Sequence, residues 1–70
     1  MATLERIRMR DQGLCVVCHN AGRVTLGRVV DHIVPLWAGG HEADSNRQLI
    51  CDECHDEKSK YEAALRWGGM

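Results

Sequence analysis

Two cysteine pairs with identical spacing constrain this 70-residue chain more than any other feature. Cys15 and Cys18 form one C-x2-C pair, and Cys51 and Cys54 form the second. Two-residue spacing lets both thiolates of a pair point at one ion, and four thiolates complete the tetrahedral shell of a structural zinc. Two disulfides or free buried thiols are the alternatives. The charged N-terminal segment favours a cytoplasmic protein, where disulfides are rare, and therefore favours zinc.

The chain has little material for a hydrophobic core. It contains no phenylalanine, two tryptophans and one tyrosine. A domain of this size buries only about 60% of the surface of its unfolded chain and needs an additional staple. We expect a zinc ion to supply that staple by tying the first cysteine pair to the start of the last helix.

Overall charge and hydropathy give no sign of binding to nucleic acid or to a membrane. Nine Lys and Arg residues against ten Asp and Glu residues give a formal charge of −1, so overall charge does not indicate a nucleic-acid binder. Any DNA contact must come from local clusters of cations. No apolar run approaches the roughly 18 residues of a membrane span, so we expect no membrane partner.

The pattern of residues predicts helices at both ends of a single domain over residues 1–70. Residues 1–13 predict a short helix, with Thr3 as its N-cap and Gly13 at the C′ position. Residues 52–67 predict a longer helix, whose acidic residues lie at the positive N-terminal end and whose end is marked by a Gly-Gly pair.

Short extended segments are expected between the helices. Residues 23–26 and 28–33 predict two strands broken at Gly27, and Pro35 ends the second because it lacks a backbone donor. Residues 47–50 predict a further short strand. The sequence therefore predicts an α+β fold, with a short β-hairpin and flanking helices.

The segment "VVDHIVPLWAGG" places two ionisable groups, Asp31 and His32, side by side in an apolar stretch. Neighbours in a regular strand point to opposite faces, so both side chains can address one target only where the strand ends or bends. Two further polar residues follow, Asn46 and then His55, which comes directly after the last cysteine. Taken singly, His32 would be a satisfied core histidine and Asp31 a cap.

In combination, "CVVC" and "VDHIVPLWAGGHEADSNRQLICDECHDEKS" resemble the HNH endonuclease family. The shared pattern is an Asp-His pair, a proline and Gly-Gly, an Asn before a Leu-rich strand, and Cys-x-x-Cys-His opening a helix. The resemblance covers residues 15–59 and is greatest for small zinc-containing HNH proteins of bacteriophages, some of which work alongside the DNA-packaging terminase. It implies a ββα-metal fold that cleaves DNA phosphodiester bonds with one divalent ion.

The resemblance also implies roles for four residues. His32 matches the general base that takes a proton from the attacking water, a task that suits an imidazole near neutral pH. Asp31 and His55 match the two ligands of the catalytic ion, Mg²⁺ or Mn²⁺, with Co²⁺ or Ni²⁺ as other candidates because one ligand is an imidazole. Asn46 matches the residue that holds the loop and orients the base.

Two hypotheses of function follow. The first is a metal-dependent endonuclease that nicks double-stranded DNA with weak specificity in phage DNA packaging or processing, with terminase subunits as candidate partners in the bacterial host cytoplasm. The second is a catalytically inert, zinc-stapled module that binds nucleic acid or protein. The set of Asp31, His32 and His55 favours the first, since a binding module needs no base beside a second metal site.

A set of basic side chains without obvious base readers is the predicted DNA contact surface. Its members are Arg6, Arg8, Arg10, Arg23, Arg28, Arg47, Lys58 and Lys60. The sequence assigns no role to His19 or His41.

Overall fold

The computed structural model describes residues 2–67, which form three α-helices and a two-stranded sheet. The elements in chain order are α1 (Thr3–Arg10), α2 (Val16–Asn20), β1 (Val29–His32), β2 (Arg47–Ile50) and α3 (Asp52–Arg66). The strands pair antiparallel, with Val29 opposite Ile50 and His32 opposite Arg47. Two short 3-10 turns, Leu36–Ala38 and Asp44–Asn46, lie in the loop between the strands. This confirms the α+β class, with a hairpin and flanking helices.

Helix α1 confirms the predicted N-terminal helix, but both of its ends differ from the prediction by one residue. Thr3 is the first helical residue and not the N-cap, because Ala2 takes the extended conformation that precedes the helix. At the other end Gln12, with φ of 59°, occupies the left-handed C′ position. Gly13 follows it, and its N–H donates to the carbonyl of Arg8 at 2.8 Å, as in a Schellman motif.

The strand predicted over residues 23–26 does not form. Only Leu26 makes a bridge there, to Leu14, and the side chains lack a surface to cover: Val24 is 82% exposed and Leu26 is 74% exposed. A short segment that buries neither face gains too little from packing to hold a strand. The sheet instead pairs β1 with β2 across the long loop.

The predicted break at Gly27 and the strands after it are confirmed. A Cβ at Gly27 would overlap the side chain of the buried Leu49, so the chain can pass β2 closely only with glycine at this position. Strand β1 ends at His32, before Pro35, and β2 covers the predicted residues 47–50.

The core is thin and centres on the cysteines, as the composition predicts. All four cysteines and Ile50 form one buried cluster, with Val29 packed against it. Among residues 2–67, Ile7 of α1 and Leu49 of β2 are the other large side chains that are fully buried. The hydrophobic contribution of so few side chains is small, which makes the cysteine cluster the structural centre of the domain.

Helix α3 agrees with the predicted C-terminal helix. Asp52 and Glu53 lie in its first turn, and Trp67 is the C-cap. The Gly-Gly pair predicted to end this helix lies outside the described residues. Within residues 2–67, none of the helices combines the length and the apolar character needed to cross a membrane.

Candidate metal centre and active site

Two helix starts bring the four cysteines together. Cys15 is the N-cap residue of α2, and its sulfur accepts the N–H of Cys18 at 3.4 Å. Cys51 is the N-cap residue of α3, and Cys54 lies in the first turn of that helix. The four sulfur atoms all lie within 4.8 Å of one another, and all four thiols are free. The group can hold a zinc ion with four thiolates, as the spacing predicts, and no disulfide joins any of them.

Neighbouring groups favour the thiolate form of one member of the cluster. Hydrogen bonds from Thr25 and then Arg23 lower the pKa of Cys18 to about 6. The Arg23 guanidinium lies 3.7 Å from that sulfur. Burial raises the pKa of the Cys54 thiol, so this ligand needs the metal itself to lose its proton. Arg23, which the sequence predicts to contact DNA, therefore lies beside the metal centre.

Asp31 is a shielded carboxylate that forms an ion pair with a lysine. Its side chain is 11% exposed, and one of its oxygens lies 3.0 Å from the Lys58 ammonium. Gln48 donates to the same oxygen at 3.2 Å. Lys58 also pairs with Glu62 and donates to the backbone carbonyl of His32 at 2.8 Å. Partial burial lowers the pKa of Lys58, but the hydrogen bonds to Glu62 and Asp31 outweigh burial and raise it.

His32 follows Asp31 at the end of β1 and meets different partners. Its Nε2 lies 2.7 Å from a carboxylate oxygen of Glu42, and its side chain is 35% exposed. Arg47 donates to the same Glu42 oxygen at 2.8 Å. The hydrogen bond with His32, and then the one with Arg47, lower the pKa of Glu42. The strand end thus separates the two neighbours, with Asp31 facing α3 and His32 facing the loop.

Asn46 ties together the two ends of the loop between the strands. Its side-chain amide donates to the carbonyls of Val34 and His41, and its side-chain oxygen accepts the N–H of Val34, each at 2.9 Å. Gly40 lies so close to this crossing that a Cβ would overlap the Val34 carbonyl. These contacts suit the loop-holding role that the resemblance implies, and the effect on the base stays a prediction.

His55 lies in the first turn of α3, where its N–H donates to the carbonyl of Cys51 at 2.9 Å. The side chain is half-buried. Residues three apart are neighbours on a helix surface, so His55 lies one turn before Lys58, whose ammonium contacts Asp31. The candidate second metal ligand is therefore on the helix that faces Asp31.

Most of the predicted DNA-binding cations engage groups of the chain itself. The pairs are Arg6 with Asp44, Arg10 with Asp11, Arg23 with Cys18, Arg28 with Asp52, Arg47 with Glu42 and Asp44, Lys58 with Asp31 and Glu62, and Lys60 with Asp56. Arg8 is exposed on α1. Contact with DNA phosphates stays a prediction for these residues, and in most of them it would compete with an internal pair.

Sequence reasoning missed the residues that surround the Asp-His pair. Glu42 lies in a loop and gives no pattern at the level of the sequence. Glu62 is four residues after Lys58 on α3, a spacing at which opposite charges meet on a helix. That spacing is the one signal that the sequence offered for this part of the site.

Comparison with known proteins identifies the family. The HNH endonuclease family matches residues 15–61, more than half of the chain. The crystal structure of a deep-sea thermophilic bacteriophage GVE2 HNH endonuclease with manganese ion is similar, with 30% sequence identity and a TM-score of 0.76. The match covers 91% of this chain and 71% of that one. Comparison with curated proteins gives no match. With the cysteine cluster, the Asp-His strand end and the Asn-held loop in place, this chain belongs to the HNH endonuclease family.

Proposed function

We propose that this endonuclease nicks double-stranded DNA with weak sequence specificity, using Asp31 and His55 as ligands of a divalent ion and His32 as the base. The observation that carries the proposal is the end of β1. There Asp31 faces α3, which bears His55, while the adjacent His32 imidazole remains one third exposed. Asp31 as a metal ligand and His32 as the base can then act on the same phosphate, because they are adjacent at the end of one strand.

The residues present suit a divalent cation. Asp31 offers a hard oxygen ligand that is shielded from water and already placed against the positive charge of Lys58 at 3.0 Å. His55 would add an imidazole nitrogen, which extends the candidate ions from Mg²⁺ to Mn²⁺, Co²⁺ and Ni²⁺. When bound, such an ion polarises the scissile phosphate and stabilises charge on the leaving oxygen. The manganese ion in the GVE2 structure supports Mn²⁺ as one such ion.

The chain itself supplies the remaining chemistry. His32 accepts a proton from water, for which an exposed imidazole is suited near neutral pH. Asn46 holds both ends of the loop that carries Glu42 and so limits the positions that the base can take. Lys58 must release Asp31 when a metal ion binds, and Glu62 is in place to keep the ammonium paired.

Nicking and weak specificity follow from the content of the site. One Asp-His pair per chain serves one strand of a duplex at a time. Most of the candidate phosphate contacts are engaged internally, and the described residues include no obvious set of base readers. We therefore propose that specificity comes from a partner, with phage terminase subunits in the host cytoplasm as candidates. The phage origin of the similar structure supports this assignment.

A plasmid assay tests the proposal. Supercoiled DNA incubated with the protein and Mg²⁺ or Mn²⁺ should accumulate nicked circles, and EDTA should stop the reaction. Asp31→Ala and His55→Ala should lose the metal-dependent cleavage while elemental analysis still finds one zinc per chain. Glu57→Ala, an exposed acidic residue on α3, is the matched control and should cleave like the wild type.

Each alternative has its own result in this assay. Linear product formed at the same rate as nicked circles would contradict nicking by single chains. Binding of DNA without cleavage in any of the divalent ions would support the inert binding module. Loss of zinc together with activity in His55→Ala would assign His55 to the cysteine cluster.

A further inference from the structure

A continuous row of charged contacts joins helix α1 to His32. Arg6 donates to both carboxylate oxygens of Asp44, at 2.5 and 2.9 Å. Asp44 accepts from Arg47 at 2.6 Å, Arg47 donates to Glu42 at 2.8 Å, and Glu42 meets His32 Nε2 at 2.7 Å. Charges alternate from Arg6 through Asp44 and Arg47 to Glu42, and the row ends at the His32 imidazole.

The backbone under this row is fixed as well. Arg10 donates to the carbonyl of Asp44 at 2.7 Å and to the carbonyl of Arg47 at 2.6 Å. In the sheet, Arg47 is directly opposite His32. Directly opposite residues of paired strands carry their side chains on the same face, so Glu42 bridges two cross-strand neighbours. The side chain of Arg47 is only 15% exposed, which limits its freedom to leave Glu42.

We propose that Glu42 is a positioning residue for DNA cleavage, which holds the His32 imidazole in one orientation and one tautomer, and that Arg47 keeps Glu42 in place. The proposal rests on the proposed role of His32 as the base. Nothing in the sequence pattern singles out Glu42, and the contact that assigns it is the 2.7 Å hydrogen bond to Nε2.

The tautomer follows from the chemistry of the two groups. An ionised carboxylate only accepts hydrogen bonds, so Nε2 of His32 must carry the proton that it shares with Glu42. A neutral imidazole has one protonated nitrogen, which leaves the lone pair on Nδ1. In the cleavage step Nδ1 takes the proton of a water molecule and the water oxygen bonds to phosphorus. The bond from phosphorus to the leaving oxygen breaks, and its electron pair goes to that oxygen. Without Glu42 both tautomers and several ring orientations become accessible, and only some are productive.

Kinetics of Glu42 variants test the role in cleavage. Glu42→Ala should lower kcat by roughly 10- to 100-fold, the size expected when a reacting group is no longer held in place, and should leave KM for DNA unchanged. Glu42→Gln keeps an oxygen that accepts from Nε2 and should restore most of kcat. Glu57→Ala is the control for removal of an exposed glutamate. A kcat for Glu42→Ala within twofold of the wild type would overturn the proposal.

Nitrogen NMR of the imidazole tests the contact separately from cleavage. With His32 assigned by comparison with His32→Ala, the neutral ring should show the Nε2–H tautomer in the wild type and a mixture of tautomers in Glu42→Ala. A wild-type ring protonated on Nδ1 would overturn the proposal. This measurement needs no activity. A chain that proved inactive on DNA would thus refute the proposed function, while the spectra would still decide the role of Glu42.

The Arg47→Ala variant distinguishes a role in holding Glu42 from a role in binding DNA. If Arg47 holds Glu42, Arg47→Ala lowers kcat several-fold, leaves KM for DNA unchanged and mixes the His32 tautomers. If it contacts a phosphate instead, the same variant raises KM, reduces the slope of log affinity against log salt by about 1, and leaves the tautomer as it is. The second pattern would overturn the part of the proposal that concerns Arg47.

Discussion

The cysteine cluster and the proposed cleavage site meet at Cys54 and His55, adjacent residues of α3, yet they are built in opposite ways. The four cysteines are at most 9% exposed and form a set of like ligands that can hold one metal cation. The side chains of the cleavage site are more exposed, and its charges satisfy one another through pairs such as Asp31 with Lys58. The first site therefore stabilises the fold, whereas the second, in the role proposed for it, must exchange internal partners for metal and DNA.

The largest expected effect is loss of the fold when the cysteine cluster is broken. Cys18→Ser, or serine at any of the other three cysteines, should abolish zinc binding and the cooperative thermal transition. Structural zinc sites contribute about 10–16 kcal/mol in zinc-finger peptides, which is as much as the whole stability of a typical domain, about 5–15 kcal/mol. Circular dichroism and elemental analysis measure both losses. A zinc-free variant that still melts near the wild-type temperature would show that the core suffices without the metal.

The same contrast explains which parts of the fold the sequence predicts. The spacing of each cysteine pair is local, so two residues of separation are enough to predict a shared ion. Helix α3 and strand β2 are predicted for a similar reason, because their patterns lie within the elements themselves. The prediction of a strand over residues 23–26 is wrong because β-propensity does not reveal whether a segment has a surface to cover. Val24 covers none, since its side chain is exposed.

The cleavage site could be predicted only in part, because its contacts are not local. The resemblance assigns Asp31, His32, Asn46 and His55, and in the structure Asp31 and His32 lie at the end of β1. The roles of these residues in cleavage stay predictions. No pattern could show that Glu42 reaches His32. That contact depends on the strand register and on the path of a loop, which only the folded chain determines.

The second expected effect concerns activity without change of fold. His32→Ala should lower cleavage by roughly 10²–10⁴-fold, the usual contribution of a general base, and leave zinc content and circular dichroism unchanged. His19→Ala, which changes an exposed histidine on α2, is the matched control. Cleavage near the wild-type rate by a clean preparation of His32→Ala would show that this residue is not the base. The contrast between the two sites would then no longer hold.

A smaller effect is expected at Lys58, which shares Asp31 with the proposed metal ion. Lys58→Met should tighten binding of Mn²⁺ in the absence of DNA by about thirtyfold, because a single and a double positive charge about 4 Å apart repel by about 2 kcal/mol even with the screening of bulk water. Lys60→Met is the matched control, since this lysine also lies on α3 but is exposed and pairs with Asp56. Calorimetric titration of zinc-loaded protein measures both variants. Equal affinities would show that Lys58 does not compete with the metal ion.

The smallest expected effect concerns the pair of Arg6 and Asp44, which joins α1 to the loop. Arg6, and then Arg47, hold the pKa of Asp44 well below its ordinary value of 3.8. A carboxyl whose native pKa is lowered stabilises the fold fully above its unfolded pKa, and the contribution is lost only as the pH falls through the native pKa. Arg6→Gln should therefore lower Tm by a few degrees, by the same amount at every pH between 6 and 8.

The cysteine cluster should respond to acid first, because protons compete with zinc for the thiolates. As the pH falls from 6 towards 4, wild type and Arg6→Gln should therefore both lose zinc as they unfold, and the constant loss of stability in the variant should move its midpoint only slightly to higher pH, since Asp44 remains ionised over that range. Parallel acid titrations, followed by circular dichroism and zinc release, measure the two midpoints. A much larger shift of the midpoint in Arg6→Gln would show that the ion pair, and not the metal centre, sets the acid stability of this domain. Helix α1 would then contribute to the stability of the fold together with the cysteine cluster, and would not belong to the proposed cleavage site.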